Sequence, residues 1–295
     1  MKFKEFDDYI LIEDLEDFDV KQTLECGQVF RYKVRDFGYT VYSLDQKADI
    51  YCQESSIKIF TNNKKYFINY FDFQTNYDRI KSSLEANPIL QDAVKYGKGI
   101  RILNSDPLEM IIEFIISQNN NIPRIRTIIE RICENYGENK GDFYAFPTLD
   151  RLKTIPLEFF TNIKCGYRDK YLYDTIQKLG DEINIDKITS MKTPDARLEL
   201  MKLKGVGRKV ADCILLFGFR RTDVFPTDTW VVKAYNQIYG KNESNAIKIS
   251  NHFAGIFGEL SGFAQQYLFY KMRDSKIGEK LWKRKKLLYL LTLIM

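Results

Sequence analysis

Apolar and polar positions follow two different rhythms along this chain. In the first quarter, short β-prone runs rich in Tyr, Val, Ile and Thr cover residues 39–44, 48–52 and 56–61. Gly38, Asp45 and the pair Asn62-Asn63 punctuate them, which predicts an antiparallel meander. From about Tyr77 the apolar positions recur at helical spacing, first over residues 78–84 and 89–94. Pro107 opens a strongly apolar helix through Ile116, and a second over 124–136 is stopped by Gly137. Shorter helices are expected at 149–155, 169–179, 194–202 and 208–217, with at least one more within 250–272. No repeat or low-complexity segment stands out. The pattern is α+β. It predicts an N-terminal antiparallel β domain with flanking helices over residues 1–100, then a mostly helical body over 101–295.

Composition narrows the function without naming it. The 295 residues suffice for two or three packed lobes, and 44% hydrophobic with 29% charged residues is globular usage. A net charge of +5 is compatible with nucleic acid but weak evidence for it. The single histidine, His252, excludes a histidine triad or a multi-histidine metal site. The five cysteines are scattered with no C-x-x-C pair, which argues against zinc fingers, an iron–sulfur loop or a disulfide framework. Reduced thiols in a cytosolic protein are the expectation. The first five residues carry no apolar signal core, and no stretch is long enough to span a membrane. The apolar run 287–295 follows a basic cluster at 283–286; a final helix packed on the body or a frayed end is expected there rather than membrane binding.

The candidate chemistry lies further along. Gly205 and Gly207 allow a tight turn with uncovered backbone N–H groups. Such groups at a helix start attract phosphate, and Lys209 falls in the first turn of that helix. An amine beside a sugar-phosphate backbone can attack a sugar carbon. The stretch is not a Walker A loop, because Val210 follows the lysine. It is not a dinucleotide fingerprint, because Val210 replaces the third glycine and no strand precedes it. Taken alone, a simple turn and a functional hairpin are evenly matched. Lys209, Cys213 and Leu216 share one helix face. Partial desolvation there predicts a neutral, nucleophilic amine; snorkelling or pairing with Asp212 is the plainer alternative. Thr227 is expected to cap a further helix with Asp228 in its first turn, ionised by the helix dipole and able to stabilise a developing cation. An ordinary capping aspartate is the commoner use.

The run from Gly205 to Cys213 plus Pro226-Thr227-Asp228 resembles the helix-hairpin-helix, Gly/Pro-Asp superfamily of DNA glycosylases. Lys209 matches its bifunctional members, and Cys213 the 8-oxoguanine DNA glycosylase branch. Residues 117–125, with their three asparagines, Gly166-Tyr167-Arg168, residues 27–31 and residues 262–269 agree with that branch in family order. The resemblance implies excision of 8-oxoguanine from double-stranded DNA, preferably opposite cytosine, followed by strand cleavage through a lysine Schiff base. Lys209 and Asp228 would be catalytic. Gly27, Cys213, Gln265 and Phe269 would form the base pocket. Asn119 would fill the hole left by the extruded base, Arg124 and Arg168 would read the orphaned cytosine, and Tyr167 would wedge into the stack. Gly205 and Gly207 would hold DNA phosphate. No cofactor is expected beyond a cation bridging the hairpin carbonyls and a phosphate, and the enzyme is expected to act as a monomer in a bacterial cytoplasm. A glycosylase for alkylated bases typically lacks the lysine, and a non-catalytic lesion-binding protein would not need both Lys209 and Asp228. One position departs from the family: Trp230 stands where a phosphate-contacting histidine is usual.

Overall fold

The structure, a computed structural model, describes residues 2–13 and 15–275. The apolar run expected to end the chain lies outside them. Six antiparallel strands form one sheet: β1 (Lys4–Glu5), β2 (Tyr9–Ile12), β3 (Tyr32–Arg35), β4 (Gly38–Ser43), β5 (Gln46–Cys52) and β6 (Ile57–Phe60), in the order β1-β2-β6-β5-β4-β3. Strands β4 to β6 are the meander that the alternation predicts, and β3 extends it by one strand. Cross-strand register sets Ile10 opposite Ile59, Ile59 opposite Ile50, and Ile50 opposite Tyr39. These four are buried, so one face of the pleat forms a continuous apolar row. Strands β1, β2 and β3 are not among the predicted runs; β1 and β3 are edges, and in β3 Lys33, Val34 and Arg35 are all exposed and carry no alternation. Strand β4 is buried on both faces. The segment from the helical body around Phe143 and Phe146 covers its outer side, with Phe146 N–H donating to the Leu44 carbonyl at 2.8 Å.

Two helices carry the core of the body. Pro107–Ser117 is capped by Asp106, and Arg208–Gly218 packs along it. Phe114 of the first and Phe217 of the second stack at 5.5 Å. A β-carbon on Gly218 would approach Met110 Cβ to 3.1 Å, so the glycine lets the two backbones come close. Helix Ile122–Tyr136 begins two residues earlier than its apolar period suggests, because Asn121 caps it. Short helices Lys64–Tyr70, Leu157–Asn162 and Ile185–Ser190 were not predicted; at six or seven residues they carry under two periods. The C-terminal pattern resolves into Ala246–Phe257, one 3₁₀ turn at Gly258–Leu260, and a helix over residues 261–275.

The sheet is tied to this body by buried polar groups in residues 28–31. The Gln28 amide donates to the carbonyls of Thr23 and Arg101, each at 2.8 Å, and accepts from Leu103 N–H at 2.9 Å. Arg31 meets Glu109 at 3.4 Å with both side chains buried. These bonds fix Gly27, just before them, against the helical body.

Candidate active site

Gly205 adopts φ +80°, and a β-carbon there would stand 2.3 Å from the Tyr171 ring. Only glycine fits on both counts. Gly207 is the N-cap of Arg208–Gly218 and supplies no side-chain cap, so the first-turn N–H groups stay open. Lys209 sits in that turn on the wall of a cleft, crowded by protein yet reached by solvent. Its amine lies 5.9 Å from the centre of the Phe114 ring.

The expected neutral amine is overturned in direction. Lys209 is held above the usual lysine range, by Cys213 first and then by Asp228, with burial opposing. Burial pushes the Cys213 thiol up in turn, with Lys209 opposing. Pairing of Lys209 with Asp212 does not form. Asp212 is buried, accepts from Arg197 Nε and faces Arg208 Nε at 3.7 Å.

Asp228 is itself the N-cap of Thr229–Tyr239, one residue later than expected. Its Oδ1 accepts from Trp230 N–H at 2.9 Å and Val231 N–H at 3.0 Å. Thr227 instead turns its hydroxyl to the Phe225 carbonyl at 3.1 Å. The capping and the charge toward Lys209 therefore belong to one carboxylate. Trp230 lies beneath Lys233, whose amine is 4.9 Å from its ring.

A second group gathers where the sheet meets the last helix. Gly27 has φ +90°, and a β-carbon on it would stand 3.7 Å from Phe269 Cε1. Gln265 and Phe269 are four residues apart on the helix over residues 261–275 and share a face. Gln265 is buried, and its Oε1 has no hydrogen-bond partner. Gln266 donates to the Cys26 carbonyl at 3.3 Å, which ties this helix to the Gly27 turn. Sequence reading missed Arg273, which donates to the Glu25 carbonyl at 2.8 Å and lies 5.5 Å over Phe269. Its i+4 spacing from Phe269 was the available signal.

A third group surrounds the asparagines. Asn119 is exposed at φ +45°, whereas Asn120 donates to the Ile116 carbonyl and Asn121 caps its helix at Arg124 N–H. Gly166, at φ +67°, separates two arginines of different standing. Arg124 is exposed and makes one bond, to the Lys164 carbonyl at 2.8 Å. Arg168 is 2% exposed and spends its donors on the carbonyls of Gln118, Asn119 and Cys165. Tyr167 is exposed, with the Arg168 guanidinium 4.5 Å over its ring.

Among the described residues no group of three or more His, Cys, Asp or Glu side chains could hold a metal ion, and no helix is long and apolar enough to cross a membrane. A glycine hairpin carrying a lysine, an aspartate at the next helix start and a preceding antiparallel sheet define a helix-hairpin-helix architecture. Residues 10–111 match the 8-oxoguanine DNA glycosylase N-terminal domain, and residues 112–258 the HhH-GPD superfamily of base excision DNA repair proteins. A "Probable N-glycosylase/DNA lyase" of Methanothermobacter thermautotrophicus is 32% identical over 72% of this chain and 75% of its own. The 8-oxoguanine glycosylase/lyase of Clostridium acetobutylicum, solved with double-stranded DNA containing cytosine opposite 8-oxoguanine, is 37% identical. It superposes with a TM-score of 0.88 over 94% of this chain and 99% of that one. A 3-methyladenine DNA glycosylase from Archaeoglobus fulgidus, 18% identical with a TM-score of 0.72 over 89% of this chain and 98% of that one, shares the fold. The chain belongs to the 8-oxoguanine DNA glycosylase family of helix-hairpin-helix base excision repair proteins, and is a DNA N-glycosylase and DNA lyase.

Proposed function

We propose that this enzyme flips 8-oxoguanine out of double-stranded DNA, excises it preferentially opposite cytosine, and then cleaves the strand. The observation that carries the reading is Lys209 facing Asp228 beside an uncapped glycine hairpin. The unprotonated Lys209 amine attacks sugar C1′. The C1′–N9 bond breaks with its electrons on the base, which takes up a proton. Asp228 offsets the positive charge developing on the sugar. Opening of the sugar ring gives a lysine Schiff base. Loss of a C2′ proton then expels the 3′ phosphate by β-elimination. The proposed chemistry draws on no cofactor. Gly205 and Gly207 present N–H groups to a phosphate, and the hairpin carbonyls would hold a cation that offsets phosphate charge.

Base reading falls to the pocket at the sheet edge. The Gly27 carbonyl accepts the N7–H that 8-oxoguanine has and guanine lacks. The unpartnered Gln265 Oε1 accepts from the Watson–Crick edge, since a buried acceptor without a donor is costly until filled. Cys213 and Phe269 flank the base. Across the duplex, Asn119 fills the vacated position and Tyr167 wedges into the stack. Arg124 reads cytosine, joined by Arg168 once it releases the loop carbonyls. The setting we propose is a monomer in a bacterial cytoplasm. Borohydride trapping on a duplex with 8-oxoguanine opposite cytosine tests the core of this reading. Wild-type protein gives a covalent adduct, and Lys209→Gln binds the lesion but gives neither adduct nor excision. Undiminished cleavage by Lys209→Gln would overturn it.

A further inference from the structure

We propose that Phe114 is a positioning residue for Lys209, its ring face holding the amine in place and favouring its cationic form. The inference rests on the reading of Lys209 as the nucleophile. The lysine amine lies over the Phe114 ring at 5.9 Å from its centre. A cation at up to about 6 Å over an aromatic face is attracted by the ring quadrupole. Phe114 cannot turn away. It is 3% exposed, stacked at 5.5 Å on Phe217 of the lysine's own helix, and held edge-on by Phe30 at 6.1 Å. Phe30 follows Gly27 in the segment that Gln28 and Arg31 pin to the body, so the ring joins the lysine's helix to the proposed lesion reader.

The ionisable groups facing the amine are Cys213, one turn along its own helix, and Asp228, at the start of the next. The ring acts in the same direction as these two but does not itself titrate. Removing it therefore changes the proton affinity of Lys209 without adding or deleting a charge.

The test is the pH dependence of single-turnover borohydride trapping on a duplex with 8-oxoguanine opposite cytosine. The proteins are wild type, Phe114→Leu, one with 3,4,5-trifluorophenylalanine at position 114, and Lys209→Gln. Trifluorination keeps ring and packing but weakens the quadrupole, so its Tm guards against a folding defect. The ascending limb of the profile is expected to move down by about 0.5 in pH in both Phe114 variants, a change of about threefold on that limb. An unmoved limb in the trifluorinated protein would overturn the proposal. Trapping by Lys209→Gln would overturn instead the assignment of the nucleophile on which it rests.

Discussion

Gly27 and Phe269 meet so closely that a single added methyl group would fill the space between them: a β-carbon on the glycine would stand 3.7 Å from the ring and 3.3 Å from Arg273 Nη1. The glycine also sits at φ +90°, where an L side chain is strained by roughly 1–2 kcal/mol. Gly27→Ala is therefore expected to slow 8-oxoguanine excision while leaving AP-lyase activity on matched abasic duplexes nearly intact, because an abasic site offers no base to read. Equal losses on the two substrates would mean that Gly27 serves only the local fold.

Asp228→Asn separates capping from charge. An asparagine oxygen can still accept from Trp230 and Val231 N–H, so the helix should lose only a few tenths of a kcal/mol. A neutral amide cannot offset the developing cation, and single-turnover excision should fall by about a hundredfold or more. Full activity with an unchanged Tm would point to another carboxylate. Asp212, held between Arg197 and Arg208, would be the first to examine.

The two arginines near Gly166 should respond differently. Arg124→Ala is expected to relax the preference for cytosine, read as excision rates opposite all four bases, with Tm unchanged. Arg168→Ala removes the guanidinium from the carbonyls of Gln118, Asn119 and Cys165, with the Tyr167 hydroxyl still donating to Gln118 at 3.2 Å. It should cost about 1–3 kcal/mol of stability besides any effect on base choice. A flat opposite-base profile in the wild-type protein would refute the role given to both.

Gly205→Ala should be more damaging than an ordinary loop substitution. The new methyl group would collide with the Tyr171 ring at 2.3 Å, at a backbone φ of +80°. A loss of about 2 kcal/mol or more is expected, with weaker binding to undamaged duplex. Tyr171→Leu in the same protein should restore part of the stability. No recovery would mean that the backbone angle, rather than the ring, sets the constraint.

Glu113 predicts a pH effect on stability. It is buried with Glu109 and Arg31, and its carboxyl is pushed well above the usual range, by burial first and then by Glu109, with Arg31 opposing. The folded protein thus holds a proton that the unfolded chain releases near pH 4.5. This contribution is fully present below that pH and is lost as pH rises toward the raised folded value. Glu113→Gln should flatten the fall of Tm above about pH 4.5 and raise Tm at neutral pH. A lower neutral Tm in the variant would show that the ionised carboxylate is the favoured buried form.

The sequence by itself determined what depends on near neighbours in the chain. Alternation gave strands β4 to β6, helical spacing gave the long helices, and Gly205, Gly207 and Lys209 are a local motif whose geometry follows from missing side chains. The edge strands β1 and β3 carry no such period, because half-solvated edges impose no alternation. Tertiary structure alone decided the rest. The lysine expected to be neutral is instead held up against desolvation, by Cys213 one turn along its helix and, more weakly, by Asp228, nineteen positions along the chain, which reaches it only through the fold. Arg168, which the resemblance expects to read the orphaned cytosine, is folded onto the carbonyls of Gln118, Asn119 and Cys165. Gly27 and Phe269, more than two hundred residues apart, meet because Gln28 and Arg31 are buried against the helical body. Electrostatics and close packing act through space, so their outcome is written only where distant segments are brought within a few ångströms.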